Sequence, residues 1–131
     1  PGEAQAAHAA AMGMWTSFLT ALGLAKKKRS LLVVGLANGG KTTLVNRLKP
    51  TKDRDQEVVP TVGFSVERFT LHKCKLTVID MSGQGKYVEL WECYYKECQA
   101  VVFVVDAASD ADTLGESKAM LHAMLAHKEL R

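Results

Sequence analysis

Long apolar stretches are missing from this sequence of 131 residues. No run approaches the roughly 18 residues that a membrane-spanning helix needs. Cysteine is scarce: Cys74, Cys93 and Cys98 are the whole supply. An odd count with no CxxC pair argues against a disulfide framework and a zinc site, and a reducing compartment is the simplest reading. Charge of one sign is also in short supply. The formal net charge is +3, and much of the excess sits in Lys26-Lys27-Lys28-Arg29. That describes a local basic patch and not a nucleic-acid surface. There is no internal repeat and no low-complexity linker, and the length suits one domain with one core.

What is present alternates in period. Pro1 to Ala11 is expected to be a leader outside the fold, with a natural start at Met12 or Met14. From Met14 to Leu24, Trp15, Phe18, Leu19 and Leu22 recur at helical spacing, with Thr16, Ser17 and Thr20 on the other side. An apolar, aromatic face followed by cations suits a membrane interface, and packing on the chain's own domain is the alternative. Ser30 to Gly35 reads as a buried strand, Lys41 to Leu48 as a helix stopped before Pro50, and Thr51 to Val62 as a loop. Phe64 to Leu71 and Lys75 to Asp80 read as strands joined tightly through His72-Lys73-Cys74. Ser82 to Cys98 is expected to be an aromatic-rich helix, Ala100 to Val105 a second buried strand, and Ala111 to His127 a helix. Strands alternating with helices predict an α/β fold with a mostly parallel sheet flanked by helices.

Gly35-Leu36-Ala37-Asn38-Gly39-Gly40-Lys41-Thr42 fits the phosphate-loop pattern G-x-x-x-x-G-K-[ST]. Glycines let the backbone curl so that successive N–H groups face phosphate oxygens, and the helix that follows turns its positive end to the same anion. Candidate nucleotide contacts are therefore Ala37, Asn38, Gly39, Gly40, Lys41, Thr42 and Thr43. Lys41 adds a point charge at the β- and γ-phosphates, and the Thr42 hydroxyl is placed for Mg²⁺. Thr61, in Pro60-Thr61-Val62-Gly63-Phe64, can bring a loop hydroxyl to the same ion. Asp80 ends a strand and is a candidate magnesium anchor, through water. In Met81-Ser82-Gly83-Gln84, Gly83 can approach a γ-phosphate and Gln84 can orient the attacking water. In this order the segments favour a GTPase over other phosphate-loop enzymes. A nucleotide-held scaffold without hydrolysis and an ATP-using enzyme are the competing classes.

With these segments together (GLANGGKT, PTVGFSVE, TVIDMSGQGKYVELWECYYKECQAVVFVVDA, MLAHKELR), the chain resembles the Arf and Arf-like small GTPases from about Met12 to Arg131. Within that family it most resembles the branch that recruits the BBSome coat. The resemblance implies a phosphate-loop G domain over residues 30–131, preceded at 12–29 by an amphipathic helix and basic run. It implies GTP or GDP with Mg²⁺, and slow hydrolysis that an activating protein accelerates. An exchange factor and an effector coat would be partners, with no nucleic acid, in a monomer of the cytoplasm that meets membranes in its GTP state. It also implies membrane trafficking and protein transport near the cilium. Trp15, Phe18, Leu19 and Leu22 would enter the membrane. Phe64, Ile79, Trp91 and Tyr94 would present the effector surface. Met12-Gly13 fits a weak myristoylation pattern, with Gly13 internal here.

The chain departs from the family pattern in several places. Ala37 stands where the family usually has Asp, and Ile79 where an aromatic is common. Val58 stands three residues before Thr61, where the heterotrimeric α subunits carry arginine. No NKxD segment follows, so guanine specificity is carried by the resemblance alone. The chain is expected to be cut short of the full protein and to lack the last strands of the sheet.

Overall fold

The computed structural model describes residues 27–130. The leader, the helix expected over 14–24 and its membrane-facing Trp15, Phe18, Leu19 and Leu22 lie outside the described residues. Among the described residues four strands, β1 (Lys27–Val34), β2 (Phe64–Leu71), β3 (Cys74–Met81) and β4 (Ala100–Phe103), make one sheet in the order β2-β3-β1-β4. β1 runs parallel to β3 and β4, and β2 is antiparallel to β3. A largely parallel sheet with one antiparallel edge hairpin results.

The helices are α1 (Lys41–Leu48), α2 (Glu89–Glu92) and α3 (Ala111–Ala126). β1 explains why both sides of the sheet are covered. Its alternate residues Leu32 and Val34 join Ile79, Met81, Trp91, Tyr95 and Met124 in one core. Val33 turns the other way, to Val45 of α1, Phe69 and Val78. A strand packed on both faces has no polar alternation to show, which is why Leu31–Val34 reads as a continuous apolar run. α3 begins at Asp110, whose carboxylate accepts a 2.8 Å hydrogen bond from Thr113 N, one of the donors a helix start leaves open.

The structure revises three boundaries. β1 starts at Lys27, not Ser30, because Lys27, Lys28 and Arg29 pair with Cys74, Lys75 and Leu76 of β3. Most of the basic run therefore belongs to the sheet. β4 stops at Phe103, although Val104 N still donates to Val34 O at 2.9 Å. The segment 82–98 is not one helix. A 3₁₀ turn at Gly85–Tyr87 leads into the four-residue α2, and turns follow. Its amides reach back three residues, as in Trp91 N to Val88 O and Tyr95 N to Glu92 O. This tighter winding suits short connecting pieces. Here it carries Trp91 and Tyr95 inward against the sheet.

Candidate nucleotide site

The C-terminal ends of β1 and β3 open onto a cavity of about 390 Å³. One wall comes from a continuous stretch of chain. After β1, Gly35 takes φ 139°, and a Cβ there would lie 2.3 Å from Val104 O. Only glycine fits both conditions. Asn38 adopts φ 59°, a left-handed conformation that asparagine tolerates. Gly40 precedes α1 with no side chain to cap it, so the first amides of the helix remain open to an anion. Ala37, Asn38, Gly39, Gly40, Lys41, Thr42 and Thr43 all border the cavity, as the motif predicts.

The opposite wall is assembled from distant segments. Thr42 Oγ1 donates to Asp80 Oδ2 at 2.5 Å and lies 2.8 Å from Thr61 Oγ1. Thr61 Oγ1 in turn lies 3.4 Å from Asp80 Oδ2. Three oxygen-bearing side chains, 19 and 38 residues apart in sequence, thus converge. Asp80 is fully buried, and among the described residues its Oδ1 has no hydrogen-bond partner. Burial pushes its pKa up, against hydrogen bonds from Thr42 and Thr61 and the nearby Lys41 charge. Lys41 is also buried, and its ammonium donates to Leu36 O at 2.7 Å. Burial pulls its pKa down while Asp80 raises it. Each buried charge is under-compensated, and each would be relieved by a ligand of the opposite sign. A phosphate suits Lys41, and a hard divalent cation suits the Asp80 carboxylate and the two threonine hydroxyls. Among the described residues no cluster of three or more His, Cys, Asp or Glu could hold a metal.

Gly83 lies behind the phosphate loop. A Cβ on it would fall 2.3 Å from Ala37 N, Gly35 O and Leu36 C, so the two walls meet at that backbone. Gln84 is exposed and borders the cavity. Lys41 is the one cation among the described residues that line it. Arg54 faces elsewhere: its guanidinium donates to Lys49 O at 3.1 Å and Arg47 O at 2.9 Å, at the end of α1.

The profile of the ADP-ribosylation factor family matches residues 15–131. The chain belongs to that family. Arf-family relatives include ADP-ribosylation factor-like protein 6 of Danio rerio, 45% identical over 120 residues. Its namesake in Caenorhabditis elegans is 40% identical over 119 residues. The alignments cover 92% and 91% of this chain but 64% and 62% of those relatives, so the chain spans less than two thirds of their length. The Arl6 BBS3 small GTPase from Trypanosoma brucei, solved with the nucleotide analogue GppNp, superposes with a TM-score of 0.70 at 42% identity. That match covers 79% of this chain and 57% of the other.

Two expected effector residues of this Arf-family chain are not at the surface. Trp91 is buried, with Nε1 donating to Ser82 O at 3.2 Å and its ring edge-on to Phe103 at 6.5 Å. Ile79 is buried because it sits on an interior strand, on the face that α2 covers. Phe64 is exposed, and its ring lies 5.5 Å from that of half-buried Tyr94. Val66, two residues along on the same strand face, is exposed as well.

Sequence reasoning missed two features. Ser82 links both cavity loops: its N–H donates to Gly63 O at 2.8 Å and its hydroxyl accepts from Gln84 N. Lys49 is buried and bonds Asp55 at 2.8 Å and Glu67 at 3.0 Å, while Asn46 and Asp55 exchange two 2.9 Å hydrogen bonds. This clamp ties the start of the Thr61 loop to α1 and β2. Neither feature has a spacing signature that a sequence could show.

Proposed function

We propose that this chain is the nucleotide-binding part of a GTP-operated switch that hydrolyses GTP slowly and recruits a coat complex to membranes. The observation that carries the reading is the meeting of Thr42, Thr61 and Asp80 beside a buried carboxylate oxygen that has no partner among the described residues. Thr42 and Thr61 would hold Mg²⁺, with Asp80 acting through water. When bound, the ion neutralises phosphate charge. The amides of residues 37–43 and the Lys41 ammonium bind and orient the phosphates, and Gly83 brings its backbone close to the terminal one. Gln84 orients the attacking water from the cavity rim.

The loop carrying Thr61 would be ordered by contacts that only a triphosphate and its ion complete, so hydrolysis would release it. The surface at Phe64, Val66 and Tyr94 lies beyond that loop and would answer to the same event. Its exposed apolar side chains suit effector capture. Slow intrinsic turnover is consistent with the described lining, where Lys41 is the cation. An arginine supplied in trans is worth about 10³–10⁵ in rate. Similarity to ADP-ribosylation factor-like protein 6 supports the BBSome as the coat and the ciliary base as the location. The 14–24 segment would provide peripheral membrane attachment, alongside exchange and activating factors.

The test is single-turnover GTP hydrolysis by the native-length protein with its activating protein. Gln84→Leu should lower the rate by at least about 100-fold while GTP remains bound. An unchanged rate would refute the role of Gln84. Failure to retain either GDP or GTP with magnesium would refute the whole reading.

A further inference from the structure

We propose that Ser82 is a positioning residue for hydrolysis, acting through the backbone of Gln84. The inference rests on the water-orienting role of Gln84 argued above. Ser82 is where the chain leaves β3, directly after Asp80-Met81, and it is buried. Three bonds meet on it. Its N–H donates to Gly63 O at 2.8 Å, its carbonyl accepts from Trp91 Nε1 at 3.2 Å, and its hydroxyl accepts from Gln84 N at 3.3 Å. The first two use main-chain atoms that any residue supplies. The third needs a side-chain oxygen at position 82.

The need for that oxygen lies in what surrounds Gln84. Gly83 has no side chain and is wedged against the phosphate-loop backbone. Among the described residues no hydrogen bond holds the Gln84 side-chain amide, which leaves it free for water. Its placement therefore depends on its main chain: Gln84 N is held by the Ser82 hydroxyl, and Gln84 O accepts from Tyr87 N at 2.8 Å. The Ser82 hydroxyl fixes the first of these while its N–H ties the same turn to the strand-entry residue Gly63, next to the Thr61 loop. Side-chain oxygens that accept from the amide two residues on stabilise such turns. A catalytic amide misplaced by a fraction of its working distance loses rate without losing ligand.

The experiment is a double-mutant cycle on the native-length protein, with single-turnover hydrolysis in the presence of the activating protein as the readout. Ser82→Ala should slow hydrolysis about 3- to 10-fold. GTP affinity should stay within about twofold, because Lys41, Thr42 and the loop amides are untouched. In a Gln84→Leu background the same substitution should have no further effect, since the two residues act as one unit. Ser82→Gly, which keeps both main-chain bonds, should behave like Ser82→Ala.

An unchanged rate in Ser82→Ala, with Gln84→Leu strongly impaired, overturns the proposal and leaves the role of Gln84 standing. A Ser82→Ala effect that multiplies in the Leu background overturns it too, because Ser82 would then act independently. If Gln84→Leu alone is without effect, the reading of Gln84 falls, and this proposal with it. If neither Ser82 variant folds, the residue serves the fold and the proposal is wrong.

Discussion

The two walls of the cavity are built on different plans. The phosphate-loop wall, Gly35 to Thr43, is contiguous in sequence and rests on backbone: a positive-φ glycine, open amides at the start of α1, and a buried lysine bonded to Leu36 O. The opposite wall gathers Thr61, Asp80, Ser82, Gly83 and Gln84 from separate segments, joined by side-chain contacts among Thr42, Thr61 and Asp80 and by the bonds that meet on Ser82. Backbone cannot rearrange cheaply once a strand and a helix flank it, whereas hydroxyl and carboxylate contacts across loops can be made and released. Under the proposed function, the first wall would serve constant binding and the second would sense which nucleotide is present.

The largest loss on substitution is expected at the first wall. Lys41→Ala should weaken nucleotide binding about 10- to 100-fold, the value of a hydrogen bond to a charged group, as titration calorimetry would register. Unchanged affinity would mean that Lys41 serves only its bond to Leu36 O. Gly83→Ala comes next, at the seam. Its Cβ would press on three backbone atoms of the phosphate loop at 2.3 Å, so the walls must part. Overpacking of this kind costs about 1–3 kcal/mol. A Tm several degrees lower, with reduced activated hydrolysis, is expected; a variant as stable and active as wild type would show that the seam is soft.

Lys49→Met probes the clamp that ties the start of the Thr61 loop to α1 and β2. Asp55 and Glu67 retain solvent access, so the stability cost is below about 1 kcal/mol. GDP release should nevertheless accelerate severalfold, read by a fluorescent nucleotide. Burial lowers the Lys49 pKa, but its hydrogen bonds to Asp55 and Glu67 and their charges raise it further, so the net shift is upward from 10.5. A lysine whose folded value is raised stabilises fully below the unfolded value and loses that contribution as pH rises through the folded one. Wild type and Lys49→Met should therefore differ at neutral pH and converge only above pH 10.5. A difference that disappears near neutrality would mean the clamp is not ionic.

The smallest effect concerns the segment behind the second wall. Cys93 is exposed, whereas burial and Glu97 push the Cys98 thiol up. Maleimide should label Cys93 first at pH 8. Equal rates would show that the segment after α2 opens freely.

Much of the site was legible because part of its chemistry is contiguous. A loop that wraps phosphate must place glycines, lysine and threonine at fixed offsets, and Gly35 to Thr42 displays them. The order after that loop predicted a place at the site for Thr61, Asp80 and Gln84; Thr61 and Gln84 border the cavity, and Asp80 accepts from Thr42. Trp91 and Ile79 were misread as surface because composition does not say which side of a short helix or interior strand faces in. The broken winding of 82–98 was hidden for the same reason: the i→i+3 turns answer to the pull of Trp91 and Tyr95 into the core, not to any local residue preference.

By itself the amino-acid order determined an α/β sheet, a phosphate loop opening a helix, and the family. Hydrophobic period and loop geometry are local properties, written within a few residues of one another. Only the tertiary structure decided that Thr42, Thr61 and Asp80 share one point, that Ser82 and Lys49 bond the loops around the cavity, and that Phe64 stays exposed and Tyr94 half-buried while Trp91 goes in. Those outcomes depend on strand register and burial, which are settled between residues far apart in the chain.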